Sequence, residues 1–141
     1  MNNYEIHKEI TKDVLDNIRI GDMIKVNDWK KPMKVRGVSE NYFVMTQNQF
    51  CRTYYSVCEK NPREIGYLHN EIVGGKFHCG SDNMIFGFVS KNFDFNNDNW
   101  KQYDFDNQDW ISEYLSAFES KEIELSERNG ISINTITVKH H

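Results

Sequence analysis

The side chains able to do chemistry are few and scattered along the 141 residues. Cys58, His69, His78 and Cys79 could be gathered into a four-ligand zinc set. Their spacing is poor for it: there is no C-x-x-C pair, and no two histidines at helical spacing. His78 and Cys79 are adjacent, so on a strand they point to opposite faces. Buried thiols and ordinary histidines are expected, with no metal and no cofactor. A Cys58 or Cys79 thiolate paired with His69 or His78 would make a nucleophile. Cys58 sits in the strand-like run YYSVCE and reads as a small core residue. Neither a G-x-S-x-G elbow nor an H-E-x-x-H pair occurs. Gly74-Gly75-Lys76 resembles the end of a phosphate loop, but position 70, where that motif needs glycine, is Asn, and Phe77 stands where Ser or Thr should. A tight turn before a strand is the expected role. Asp104, Asp106 and Asp109 could meet a divalent ion, yet no glycine supplies the sharp turn of a calcium loop. A solvated acidic face is expected there.

Two groups suit recognition rather than catalysis. Tyr54, Tyr55, His69, Asn70, Arg128 and Asn129 are flat or polar and fall near loops and strand ends. Together they could stack on and hydrogen-bond a base or small polar ligand. The plainer account is core tyrosines and turn chemistry at Arg128-Asn129. The second group is NFDFNNDNWKQYDFDNQDW, residues 92–110, where Trp100, Tyr103 and Phe105 stand among Asp and Asn. Its aromatics either pack on the protein's own core or anchor a protein partner. Trp100, between two Asn/Asp clusters, is the expected anchor.

Composition bounds these readings. Hydrophobic residues are 38% and aromatics 13%, so large rings offset a modest apolar share. The net charge of −4 excludes a bulk polybasic nucleic-acid binder. Charge is nevertheless uneven. Met23 to Arg36 carries five basic residues (Lys25, Lys30, Lys31, Lys34, Arg36) and one acid, whereas Asn92 to Glu127 carries ten acids and two lysines. The basic region 25–36 could hold a nucleic acid or small nucleotide. Three cysteines is an odd number for a disulfide scaffold. The N-terminus is charged throughout, unlike a signal peptide, and no apolar run approaches a membrane span. The expectation is a cytoplasmic protein with free thiols and no membrane association.

The elements that position these residues read as α+β, in a single domain over 1–141. Ile6, Ile10, Val14 and Ile18 recur four apart, so residues 1–17 read as a helix or a partly ordered arm. The pattern then turns to period two. IRIGDMIKV, MKVRGVS, NYFVMT and RTYYSVCE predict four short strands in a small curved antiparallel sheet, or a partly closed SH3-like barrel. Residues 60–83 are loop-rich, with KFHC and NMIFGFV as strand candidates at and beyond their end. Trp110, Ile111, Tyr114, Leu115 and Phe118 predict a helix over 109–119, capped by Asp106 or Asn107. KEIELSE and ISINTITVK flank Asn129-Gly130, the strongest turn signal in the chain, and predict a C-terminal hairpin.

Residues 18–138 resemble a group of small uncharacterised proteins carried by phages and integrative or conjugative elements of Firmicutes. The resembling blocks are IRIGDMIKVNDWKKPMKVRGVSENYFVMT, YYSVCEK, GGKFHCGSDNMIFG and FESKEIELSERNG, followed by the Ile-rich last strand. The resemblance implies an accessory protein of a mobile element and carries over no catalytic residue. The functional expectation is a non-enzymatic protein that binds a host or element protein, such as a defence component. Nucleic-acid or nucleotide binding through residues 25–36 is the alternative, and an enzyme without a recognisable motif the second alternative.

Overall fold

A computed structural model describes residues 4–49, 52–77, 85–86 and 109–141. Strands β1 (Tyr4–His7), β2 (Met23–Val26), β3 (Met33–Val38), β4 (Tyr42–Gln49), β5 (Arg52–Glu59), β7 (Asn70–Phe77), β8 (Ile85–Phe86) and β10 (Ile136–Lys139) form one antiparallel sheet. Its order is β1-β10-β2-β3-β4-β5-β7-β8. A two-stranded sheet pairs β6 (Tyr67–Leu68) with β9 (Ile131–Ser132). The helices are α1 (Lys12–Asp16) and α2 (Asp109–Glu119). The architecture is α+β, a curved antiparallel sheet with one substantial C-terminal helix. The sheet is open, with β1 and β8 at opposite edges, and does not close into a barrel. No helix among the described residues is long and apolar enough to cross a membrane.

The alternating sequence makes this a two-faced sheet. On face one, Ile24, Val26, Met33, Val35, Phe43, Met45 and Cys58 pack with Ile10, Leu15 and Ile18 from the α1 region, and with Leu68 and Ile133. On face two, Val44, Tyr55, Val57 and Val73 pack under Ile111, Tyr114, Leu115 and Phe118 of α2, joined by Ile123 and Leu125. The middles of β4 (Phe43 to Thr46) and β5 (Tyr55 to Cys58) are therefore buried on both sides, which suits their β-branched and aromatic content. Two irregularities set the register. Arg36 is an extra residue between Val35, which faces Met45, and Gly37, which faces Val44. Val73 is likewise extra opposite Tyr55 and Ser56. Gly37 is where α2 lands: a Cβ there would overlap Ile111 and press on Leu115.

Three expectations are corrected. The N-terminal residues are not one helix. Tyr4–His7 pairs with β10 as an edge strand, and only Lys12–Asp16 is helical, capped by Thr11 Oγ1 accepting from Val14 N at 3.3 Å. Only the later part of the stripe reaches the core: Ile6 is 70% exposed, whereas Ile10 and Ile18 are buried. Gly74-Gly75 is no turn but the middle of β7, beside its bulge, where absent side chains ease the irregular pairing. The C-terminal hairpin across Asn129-Gly130 does not form. Residues 121–127 are not a strand, β9 pairs with β6, and β10 fits between β1 and β2. The alternation of Ile123 and Leu125 reports burial against α2, not strand pairing.

The run ISINTITVK is also broken in its middle. Asn27, at φ 53°, accepts from Asn134 N at 2.7 Å and donates to Ser132 O at 2.9 Å. Ile133 N donates to Gly66 O at 2.7 Å. These bonds bend the segment between β9 and β10. The expected caps Asp106 and Asn107 of α2 lie outside the described residues. Its C-terminal end is a Schellman turn: Glu122 N donates to Ala117 O and Lys121 N to Phe118 O, with Lys121 at φ 63°.

Candidate recognition groove

Face one is not covered from end to end. Between the β2–β3 connection and the segment leading into β9 lies an open groove of about 590 Å³, within the size range of ligand sites. Its floor comes from the face-one positions of three neighbouring strands. Gln47 on β4 faces Tyr54 on β5 in the pairing register, and Ser56 faces Ile72 on β7. Trp29, in the β2–β3 connection, and Met33 form one wall, while Asn129, Gly130 and Ile131 form the other. Trp29 is half-buried against the face-one core, so its ring is fixed and one part stays open to the groove.

The polar groups of the floor are held in place. Asn70 Nδ2 donates to Ser56 Oγ at 2.7 Å, and Ser56 Oγ lies 4.0 Å from Cys58 Sγ. Glu71 is buried and accepts from Ser126 N at 3.1 Å and Asn129 Nδ2 at 3.2 Å. That ties the 126–131 segment to β7 and so fixes the far wall. Tyr54 Oη accepts from Arg52 Nη1 at 3.2 Å. Gly130 is needed for the wall to close: a Cβ there would overlap the ring of Tyr67. The lining thus offers an indole, a phenol, a thioether, aliphatic side chains and three amides, with Glu71 as its one ionisable carboxylate. Such groups bind neutral, partly apolar matter by packing and amide hydrogen bonds. Among the described residues no Lys or Arg lines the groove, and the nearest guanidinium is that of Arg52, bonded to the Tyr54 hydroxyl.

The sequence-derived candidates divide. Tyr54, Asn70 and Asn129 meet in the groove. Tyr55 does not: period two sends it to face two, 4% exposed beneath α2. His69 is 2% exposed and lies behind the groove, with Nε2 lacking a hydrogen-bond partner and its ring 6.4 Å from that of Tyr67. Burial, aided by the nearby Arg63, holds its imidazole below the ordinary histidine range, so it is neutral. Arg128 is exposed and contributes backbone instead, its carbonyl accepting from Tyr67 Oη at 3.5 Å. Trp100, Tyr103 and Phe105 lie outside the described residues, as do His78 and Cys79. Burial drives the Cys58 thiol far above the usual thiol range, which leaves it inert. Among the described residues no cluster of three or more His, Cys, Asp or Glu could hold a metal. Sequence reasoning missed Trp29, Met33, Gln47 and Ile72. A lone Trp on the short polar connection Asn27–Pro32 was the available signal, because a loop tip has no structural need of an indole. No protein-family model, curated protein or solved structure matches the chain.

Proposed function

We propose that the protein is a non-enzymatic binding module whose groove receives an extended segment of a partner protein. The observation that carries this reading is the lining itself. Trp29, Tyr54, Met33 and Ile131 supply apolar contact, and Gln47 and Asn70 supply amide donors and acceptors. These are the groups that recognise a peptide's side chains and backbone. Ile72, 51% exposed at the groove, gives the partner an apolar contact that water does not favour. The resemblance to small phage and integrative-element proteins supports a binding role, since most small accessories of mobile elements act by binding something. A bacterial cytoplasm is the compartment this implies.

The test is selection of short random peptides on the intact chain, followed by affinity measurement on variants. Gln47→Ala and Ile72→Glu alter the lining without removing a core residue. Each is expected to weaken a selected peptide about tenfold or more, roughly 1.4 kcal/mol, with an unchanged melting temperature. Trp29→Ala is expected to weaken it further. Peptides that bind all three variants as well as the native chain would overturn the groove as the site.

A further inference from the structure

Face two is covered by α2 over β3, β4, β5 and β7, but its other half is open. The pairing register shows what lies there. Tyr4, Lys139, Met23 and Lys34 form one rung across β1, β10, β2 and β3. Ile6, Thr137 and Lys25 form the next. Arg36 joins them, two residues after Lys34 on the same strand, where its Nε donates to Thr46 Oγ1 at 3.3 Å. Among the described residues four cations and no carboxylate therefore occupy this part of the sheet, in a chain whose net charge is −4. Lys25, Lys34, Arg36 and Lys139 make no ion pair among the described residues. Lys139 instead lies with Nζ 5.3 Å from the centre of the Tyr4 ring. Tyr4 is 50% and Ile6 70% exposed, so apolar and aromatic surface lies open between the charges.

We infer that this open face of β1, β10, β2 and β3 binds single-stranded nucleic acid. Unpaired cations with no neighbouring carboxylate favour a polyanion by charge complementarity. The cations are spread over two strand spacings, about 10 Å, rather than gathered into a pocket for one phosphate. An exposed tyrosine and isoleucine beside them give unpaired bases a surface to stack on, which a duplex does not need and an acidic peptide does not use. Among the described residues the face presents no protruding helix or ribbon to enter a duplex groove. It lies on the side of the sheet opposite the groove and rests on different residues, so either reading can fail alone.

Fluorescence anisotropy with the full chain tests it. The probes are labelled oligothymidylate and oligouridylate of about twenty nucleotides, a mixed-sequence duplex, and vesicles containing phosphatidylserine. With four phosphate contacts the logarithmic salt slope for the single strand is expected near −2.8, so affinity falls about fifty-fold between about 50 and 200 mM salt. Lys25→Ala with Lys34→Ala is expected to reduce that slope by about 1.4 with the melt intact. Tyr4→Ala should weaken the single strand while leaving the slope unchanged. Lys12→Ala, on α1 at the other face, should change nothing. The inference is overturned by no binding at low salt, by tighter binding to the duplex or vesicles, or by an equal loss with Lys12→Ala. Comparing the two oligonucleotides assigns DNA or RNA as the strand.

Discussion

Two histidines report opposite electrostatic settings. His140 lies between carboxylates: Nε2 is 3.2 Å from Glu5 Oε2, and Nδ1 is 3.0 Å from Asp22 Oδ2. Both ring nitrogens can donate only in the imidazolium form, so the bond to Glu5 first, and Asp22 with it, raises the pKa of His140. Its contribution to stability is fully present below the ordinary value of 6.5 and is lost as pH rises through the higher folded value. His69 runs the other way. Its folded value is depressed, so the unfolded chain binds the extra proton and acidification below 6.5 favours unfolding. His140→Ala is accordingly expected to lower the melting temperature more at about pH 5.5 than at about pH 8.5, read by paired thermal melts. A larger loss at the alkaline pH would mean that the ring does not bridge β1 to the Asp22 turn as a cation.

The contact between α2 and the sheet is the second testable assembly. α2 sits directly on Gly37, and its C-terminal Glu119 accepts from Asn41 N at 2.8 Å and Asn41 Nδ2 at 2.7 Å. Burial pushes the Glu119 carboxyl up, but bonds from Ser39 and Asn41 outweigh it and leave it below its usual value. Gly37→Ala is expected to cost about 1–3 kcal/mol through overpacking against Ile111, measured by denaturant melts. An unchanged midpoint would mean that the helix can lift from the strand at no cost. The sequence made most of this readable. Strands β2 to β5 announced themselves by alternation, and α2 by Ile111, Tyr114, Leu115 and Phe118. What it could not give was pairing. Asn129-Gly130 looks like a hairpin turn, but the segment after it is drawn away by Asn27, Gly66 and two earlier strands. Alternation at Ile123 and Leu125 is the same signal whether a segment pairs or simply packs.

The molecule as a whole separates its surfaces. Tyr54 and Tyr55 are neighbours in sequence but belong to opposite faces, and only the register and the bulge at Val73 decide which one meets the groove. The groove draws on residues as distant as Trp29 and Ile131, so no local window could have assembled it. The basic residues of 25–36 were visible as a run. Strand alternation puts Lys25, Lys34 and Arg36 on face two, away from the Trp29 and Met33 of the same stretch. The acidic aromatic stretch 92–110 was the other surface singled out by composition. A two-dimensional NMR titration of the isotope-labelled full chain with a selected peptide separates these surfaces in one experiment. The account predicts that the largest shift changes cluster at Gln47, Tyr54, Asn70, Ile72 and the Trp29 indole, with the amides of Lys25, Lys34 and Lys139 unmoved. Changes centred on Trp100, Tyr103 and Phe105, with the groove resonances still, would contradict it.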